Sequence, residues 1–167
     1  MKVILVVATT VDGFIARTKD QLVNWTDIED KDFFHSITTQ LGTVIMGLNT
    51  YKTLPAPLPG RLNIVMSTNG GENIPGELEF FSGEPLELLD SLSKRGITEV
   101  ALVGGAQVDG SFFVDNLVDE IFITISPLLF GQGLNLSSGY DLETKLSLLE
   151  AKPIGTDSVL LHYQVIK

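Results

Sequence analysis

Residues 99–116 read EVALVGGAQVDGSFFVDN, and they decide the fold class. Glu99–Val103 is a short apolar run, the bare pair Gly104-Gly105 ends it, and a helix over Ala106–Asn116 comes next. A strand that turns directly into a helix is the repeating unit of a parallel sheet with helices packed on its faces. The same grammar recurs upstream. Thr43–Met46 ends at Gly47 and leads into a brief helix over Asn49–Leu54, stopped by Pro55, Pro57 and Pro59. Val3–Ala8 is almost uninterrupted apolar sequence, as a strand buried on both faces should be. Asn63–Ser67 and Leu78–Phe81 add two more strands, and Ile121, Ile123 and Ile125 alternate along another. A helix is expected to open where Thr26 and Glu29 have capping-box spacing and to run to Gln40, with Gly42 as its stop. Another starts at Pro85 and carries Leu86, Leu89 and Leu92 before Gly96. Lys145–Ala151 and Ser158–Ile166 flank the turn-like Pro153–Asp157 and read as a closing antiparallel pair. The expected architecture is a three-layer α/β fold: a mostly parallel, twisted sheet of about eight strands, a C-terminal antiparallel hairpin, and helices on both faces.

Composition narrows the function classes. The chain has 167 residues, 44% of them hydrophobic, which suits one domain with a core of its own. It has no Cys, which excludes disulfide frameworks, thiolate nucleophiles and thiolate metal sites. His35 and His162 are the only histidines, both read as structural, and no metal is expected. Eleven Lys and Arg against 21 Asp and Glu leave a net charge of −10, with no basic run. Such a surface repels phosphate backbones, so a nucleic-acid partner is not expected. Val3–Ala8, the longest fully apolar run, is far short of the ~20 residues of a membrane span and shorter than a signal-peptide core. A cytoplasmic protein without a membrane partner is the expectation. There is no G-x-S-x-G elbow and no Walker-type Gly-Lys-Ser/Thr sequence, so hydrolase and kinase readings lose their usual anchors.

The helix after Trp25 holds the most informative anomaly. Phe33, Phe34, Ile37 and Leu41 share one face, and Asp30 precedes Phe33 and Phe34 by three and four residues, so it points the same way. Two readings are open. Asp30 either stays wet and favours the positive helix start, or sits on the floor of an apolar pocket and binds a cationic or amidine-like ligand. Gly47 and Gly104-Gly105 likewise read either as ordinary turns or as bare backbone at the carboxyl ends of strands, where ligands dock in open α/β sheets. The dinucleotide fingerprint G-x-G-x-x-G is absent. Arg61, after Leu58-Pro59-Gly60, is an anion-contact candidate in a chain poor in basic residues.

Taken in order, these segments resemble the dihydrofolate reductase family and its relative, the C-terminal reductase domain of the riboflavin-biosynthesis deaminase-reductase. VILVVATTVDGFIA at 3–16, Trp25 with Asp30 and Phe34, VIMG at 44–47 with Thr50, LPGRLNIV at 58–65, and Val103-Gly104-Gly105 carry the likeness. Leu117-Val118-Asp119-Glu120 and ISPLLFGQG at 125–133 are closer to the riboflavin-pathway domain. The resemblance implies an NADPH-dependent reductase, NADH not excluded, that transfers hydride to a C=N-containing heterocycle or to the ribose imine of an aminopyrimidine. Its small-molecule substrate would be a pteridine or an aminopyrimidine. Asp30 is implied as the active-site acid, with Ala8, Phe34, Leu58, Arg61 and Thr124 around the substrate. Ala8, Ile15, Gly47, Thr50, Ser67, Thr68, Val103, Gly104, Gly105, Ala106 and Gln107 are implied at the cofactor. Leu48 departs from the pattern, standing where an arginine often meets the 2′-phosphate of NADPH. A homodimer is a family expectation. The alternative is a non-catalytic module that binds a pterin, flavin or nucleotide.

Overall fold

In the computed structural model, which describes residues 1–137 and 139–167, a large sheet is laid down as the sequence grammar requires. In chain order the elements are β1 (Lys2–Thr10), β2 (Phe14–Ala16), α1 (Ile28–Leu41), β3 (Thr43–Gly47), α2 (Leu48–Thr53), β4 (Leu62–Met66) and β5 (Leu78–Phe81). They continue with α3 (Pro85–Lys94), β6 (Glu99–Leu102), α4 (Ala106–Val114), β7 (Glu120–Ser126), β8 (Leu134–Asn135), β9 (Lys145–Ile154) and β10 (Ser158–Ile166). The main sheet has eight strands in the order β5-β4-β3-β6-β1-β7-β10-β9. Pairing is parallel from β5 to β7, whereas β10 runs antiparallel to both β7 and β9.

Alternation along the central strands builds two cores. Val3 and Leu5 of β1 face Leu88, Leu89 and Leu92 of α3 and Phe112 of α4. Ile4 and Val6 face the other way, into a cluster with Leu41, Phe33, Phe34 and Ile37 of α1 and Tyr51 of α2. A period of two on strands buried on both faces is therefore what makes three layers. Fully burying a side chain of this kind is worth about 1.5–3 kcal/mol. None of the described helices is long and apolar enough to cross a membrane.

Gly42 ends α1 in the left-handed region at φ 72°, its amide donating to the Thr38 carbonyl, as the expected stop requires. The expected box at Thr26 and Glu29 does not form. Asp27 takes the N-cap position, and its carboxylate accepts a 2.8 Å hydrogen bond from the Ser158 hydroxyl, which ties the helix start to β10. A capping box forms instead at the start of α3, between Glu84 and Glu87 on either side of Pro85. Pro153 lies within β9 rather than in the turn, and the outermost strand of the sheet is where a residue without an N–H is tolerated. One pairing escaped the sequence reading: β2 and β8 form a separate two-stranded sheet beside the large one.

Candidate active site

Parallel pairing places the carboxyl ends of β1, β3, β4 and β6 along one rim of the sheet, and a cleft of about 820 Å³ opens there. Two strand ends are locked together by the Gly47 amide, which donates to the Gly104 carbonyl at 2.8 Å. Gly104 has φ +100°, and the Gly104–Gly105 peptide is cis. Space around these glycines is already claimed. A β-carbon on Gly47 would lie 3.0 Å from Val108 Cγ2, and one on Gly105 would lie 3.2 Å from Thr50 Oγ1. Gly105 is also the N-cap of α4 and makes no side-chain cap bond, so the first amides of that helix remain available to a ligand.

Asp30 lies on the opposite wall. It is 8% exposed, within the first turn of α1, and it lines the cleft beside half-buried Phe34. Among the described residues no protein donor or cation pairs with its carboxylate. The carboxylate thus stands in the cleft wall rather than out in bulk solvent. Ala8, Ile15, Leu58, Gly47, Thr50, Ser67, Thr68, Val103, Gly104, Gly105, Ala106 and Gln107 line the same cleft.

Two expected contacts lie elsewhere. Thr124 is buried on β7, paired in register with Ala8, behind the wall rather than in it. Arg61 is 5% exposed and does not line the cleft. Its Nε donates to the Pro59 carbonyl at 3.0 Å and its Nη1 to Thr38 Oγ1 at 2.7 Å, while that hydroxyl donates to the Phe34 carbonyl at 2.6 Å. The guanidinium thus braces α1 behind the aromatic wall. Burial lowers its pKa from the usual arginine value, yet it stays charged. Arg61→Lys cannot span both acceptors, so chemical denaturation is expected to show a stability loss of about 1–2 kcal/mol.

Other residues enter the cleft beside those implied at the substrate and the cofactor. Lys19 and Lys31 stand on its wall, as do Asn49 and Asn69. Thr26 lines it too, its buried hydroxyl without a hydrogen-bond partner among the described residues. Asp109 reaches it from α4. The two rims are held differently. Asn63, fully buried, accepts from the Leu58 amide at 2.9 Å and donates to the carbonyls of Leu58, Arg61 and Glu77, fixing the loop that presents Leu58. On the other side, Asp12 accepts from Thr10 Oγ1 and from the amides of Phe130 and Gly131. Those bonds, the Thr10 hydroxyl foremost, hold its pKa below the usual carboxylate value. Beyond this clamp, Arg17 lies 4.3 Å over the Phe130 ring and Trp25 meets the same ring edge-on.

The dihydrofolate reductase family profile matches residues 2–125. This chain belongs to the dihydrofolate reductase family. The dihydrofolate reductase of Neisseria meningitidis serogroup A is 31% identical over 144 residues, covering 83% of this chain and 84% of that protein. The uncharacterized protein YwjB of Bacillus subtilis is 28% identical over 170 residues, covering 97% of each. In fold, the chain resembles the diaminohydroxyphosphoribosylaminopyrimidine deaminase/5-amino-6-(5-phosphoribosylamino)uracil reductase of Thermotoga maritima. The TM-score is 0.83 at 20% identity, over 99% of this chain and 56% of the other. A pyrimidine reductase-like protein of Corynebacterium diphtheriae matches with a TM-score of 0.79 at 16% identity, over 99% and 92% of the two chains. Dihydrofolate reductases and riboflavin-pathway reductase domains thus share the architecture seen here, and the cleft lies at the strand ends common to it.

Proposed function

We propose that this chain is a nicotinamide-dependent reductase that adds hydride to the C=N carbon of a pteridine or to the ribose imine of an aminopyrimidine. One observation carries the reading: a buried carboxylate next to an aromatic ring shares a cleft with a glycine cradle at two strand ends. The cradle fits a dinucleotide, because bare backbone at Gly104 and Gly105 and the amides at the start of α4 let a phosphate approach closely. A bound reduced nicotinamide would supply the hydride. Asp30 would hold the paired N–H groups of the heterocycle and favour a proton on the nitrogen of the reduced bond. Phe34 would stack on the ring, while Ala8 and Ile15 exclude water around the reacting carbon.

Cofactor choice is expected to rest on uncharged groups. Leu48 stands in the wall, with Asn49, Ser67, Thr68 and Asn69 the polar residues nearby. NADPH remains the family's cofactor and NADH the competitor to test against it. For the substrate, the cations on the cleft are Lys19 and Lys31 rather than Arg61. Lys31 is exposed, so its attraction is screened by salt. Lys31→Glu is expected to raise KM for an anionic substrate roughly five- to tenfold at low salt with little change in kcat, an effect that shrinks as salt is added.

Purified protein should be assayed with dihydrofolate and with a ribosylaminouracil phosphate, each with NADPH and NADH. Consumption of reduced cofactor with either substrate supports the reductase. Leu48, in place of a charged contact, favours the second reading, a module that holds a pterin, flavin or nucleotide. That reading requires tight ligand binding with the reduced cofactor left unconsumed. A homodimer is proposed on the same footing. β9 forms an outer edge with Leu146, Leu148 and Leu149 exposed, and a second copy would cover them.

A further inference from the structure

Positive charge is distributed unevenly around the cleft. The two cations that line it, Lys19 and Lys31, come from the segment before α1 and from α1 itself, the wall that carries Asp30. Among the described residues, the glycine-bearing wall has none. Its carboxyl, Asp109, is buried with neither oxygen hydrogen-bonded among the described residues, and it supplies no positive charge. Between Gly42 and Ser93 the sequence holds only two basic residues, Lys52 and Arg61, against six acidic ones. Lys52 is exposed at the end of α2 and does not line the cleft, while Arg61 is committed to Thr38 behind the aromatic wall.

Strand order says where this matters. With the reacting ring beside Ala8 at the tip of β1, the phosphates belong at Gly104-Gly105, between β6 and α4. Outward from there the sheet runs β6, β3, β4, so the second nucleoside falls at the tips of β3 and β4, about 5 and 10 Å beyond β6. Leu48, Asn49, Ser67, Thr68 and Asn69 line the cleft there. Hydroxyls and carboxamides both donate and accept, which suits a ribose diol. Ser67 Oγ already accepts from the Asn69 amide at 3.3 Å, which leaves its O–H to donate. A phosphate monoester on the same ribose brings about 1.5–2 negative charges near neutrality and meets no cation. We infer that the cleft is built for a dinucleotide whose second ribose keeps a free 2′-hydroxyl, NADH rather than NADPH, with those five residues around that ribose. The inference rests on the nicotinamide reading of the cleft and departs from the family's usual cofactor.

Calorimetric titration of the wild type, Leu48→Arg and Asn49→Arg with NADH and with NADPH tests it, and melting curves check that each variant is folded. At low salt the wild type is expected to bind NADH about tenfold more tightly than NADPH. Added salt should narrow that gap, because it screens the repulsion between the extra phosphate and a chain of net charge −10. Either arginine should raise NADPH affinity roughly tenfold and leave NADH affinity within about threefold, erasing the preference. Leu48 packs partly against the core, whereas Asn49 is exposed, so Asn49→Arg carries the test if Leu48→Arg does not fold. Wild-type NADPH binding equal to or tighter than NADH binding overturns the proposal and leaves the cofactor cleft standing. So does an NADPH affinity that arginine at position 49 fails to raise. Failure of the wild type to bind either dinucleotide overturns the nicotinamide reading and this assignment together.

Discussion

With Asp30 replaced by asparagine, turnover is expected to fall by roughly 10²–10⁴-fold while the melting temperature and NADPH affinity stay close to wild type. The substitution is nearly isosteric, so Phe34 and the rest of the wall keep their packing. What the helix loses is one negative charge in its first turn, worth about 0.3–1 kcal/mol against the dipole, with Glu29 still present. What the chemistry loses is larger. An amide cannot accept from two N–H groups of a heterocycle, and it does not favour protonation of the neighbouring nitrogen. Steady-state rates with the better substrate, beside a cofactor titration, separate the two contributions. Full turnover in the variant would remove Asp30 from the mechanism.

Asp109 is expected to behave in the opposite sense: substitution should stabilise the protein. A buried carboxyl without a partner costs about 1–3 kcal/mol, and Asp109→Ala removes it at the price of a small cavity. For a chain of this size, each kcal/mol shifts the melting temperature by roughly 2–4 °C. The pH dependence gives the sign. Because burial raises the folded-state pKa above the ordinary value of 3.8, the favourable acid form is fully present below that value. Stability is lost as pH rises through the folded-state pKa. The melting-temperature gap between Asp109→Asn and wild type should therefore be smallest below about pH 4 and widen toward neutrality. A gap that stays constant with pH would mean that the carboxyl is paired or solvated in solution.

Much of this fold was legible because strand residues buried on both faces leave uninterrupted apolar runs, and because Gly47 and Gly104-Gly105 mark where strands become helices. The cleft was legible for the same reason. Asp30 stood out through its spacing to Phe33 and Phe34. The identical test applied to α4 exposes Asp109, three residues after Ala106 and three before Phe112, both buried. Its mixed polar and apolar neighbours Gln107 and Ser111 hide the stripe. The direction of Arg61 was not legible, because a sequence cannot say which way a guanidinium turns: Thr38 accepts from it one helix away, 23 positions earlier. Asp27 stands at the N-cap of α1 without a side-chain cap bond, its carboxylate taken by Ser158 of a strand far along the chain. Such pairings leave no local trace.

The unequal anchoring of the two rims has a consequence for how the molecule will grip its ligands. One jaw is fixed, since the Asn63 amide holds the Leu58 loop to the sheet at several points. The other, around 18–23, turns Leu22 and Val23 outward, each about half exposed at 53% and 52%, although both border the cleft. Closure should be one-sided, and a bulky ligand will gain most of its extra grip by drawing those two side chains down over itself.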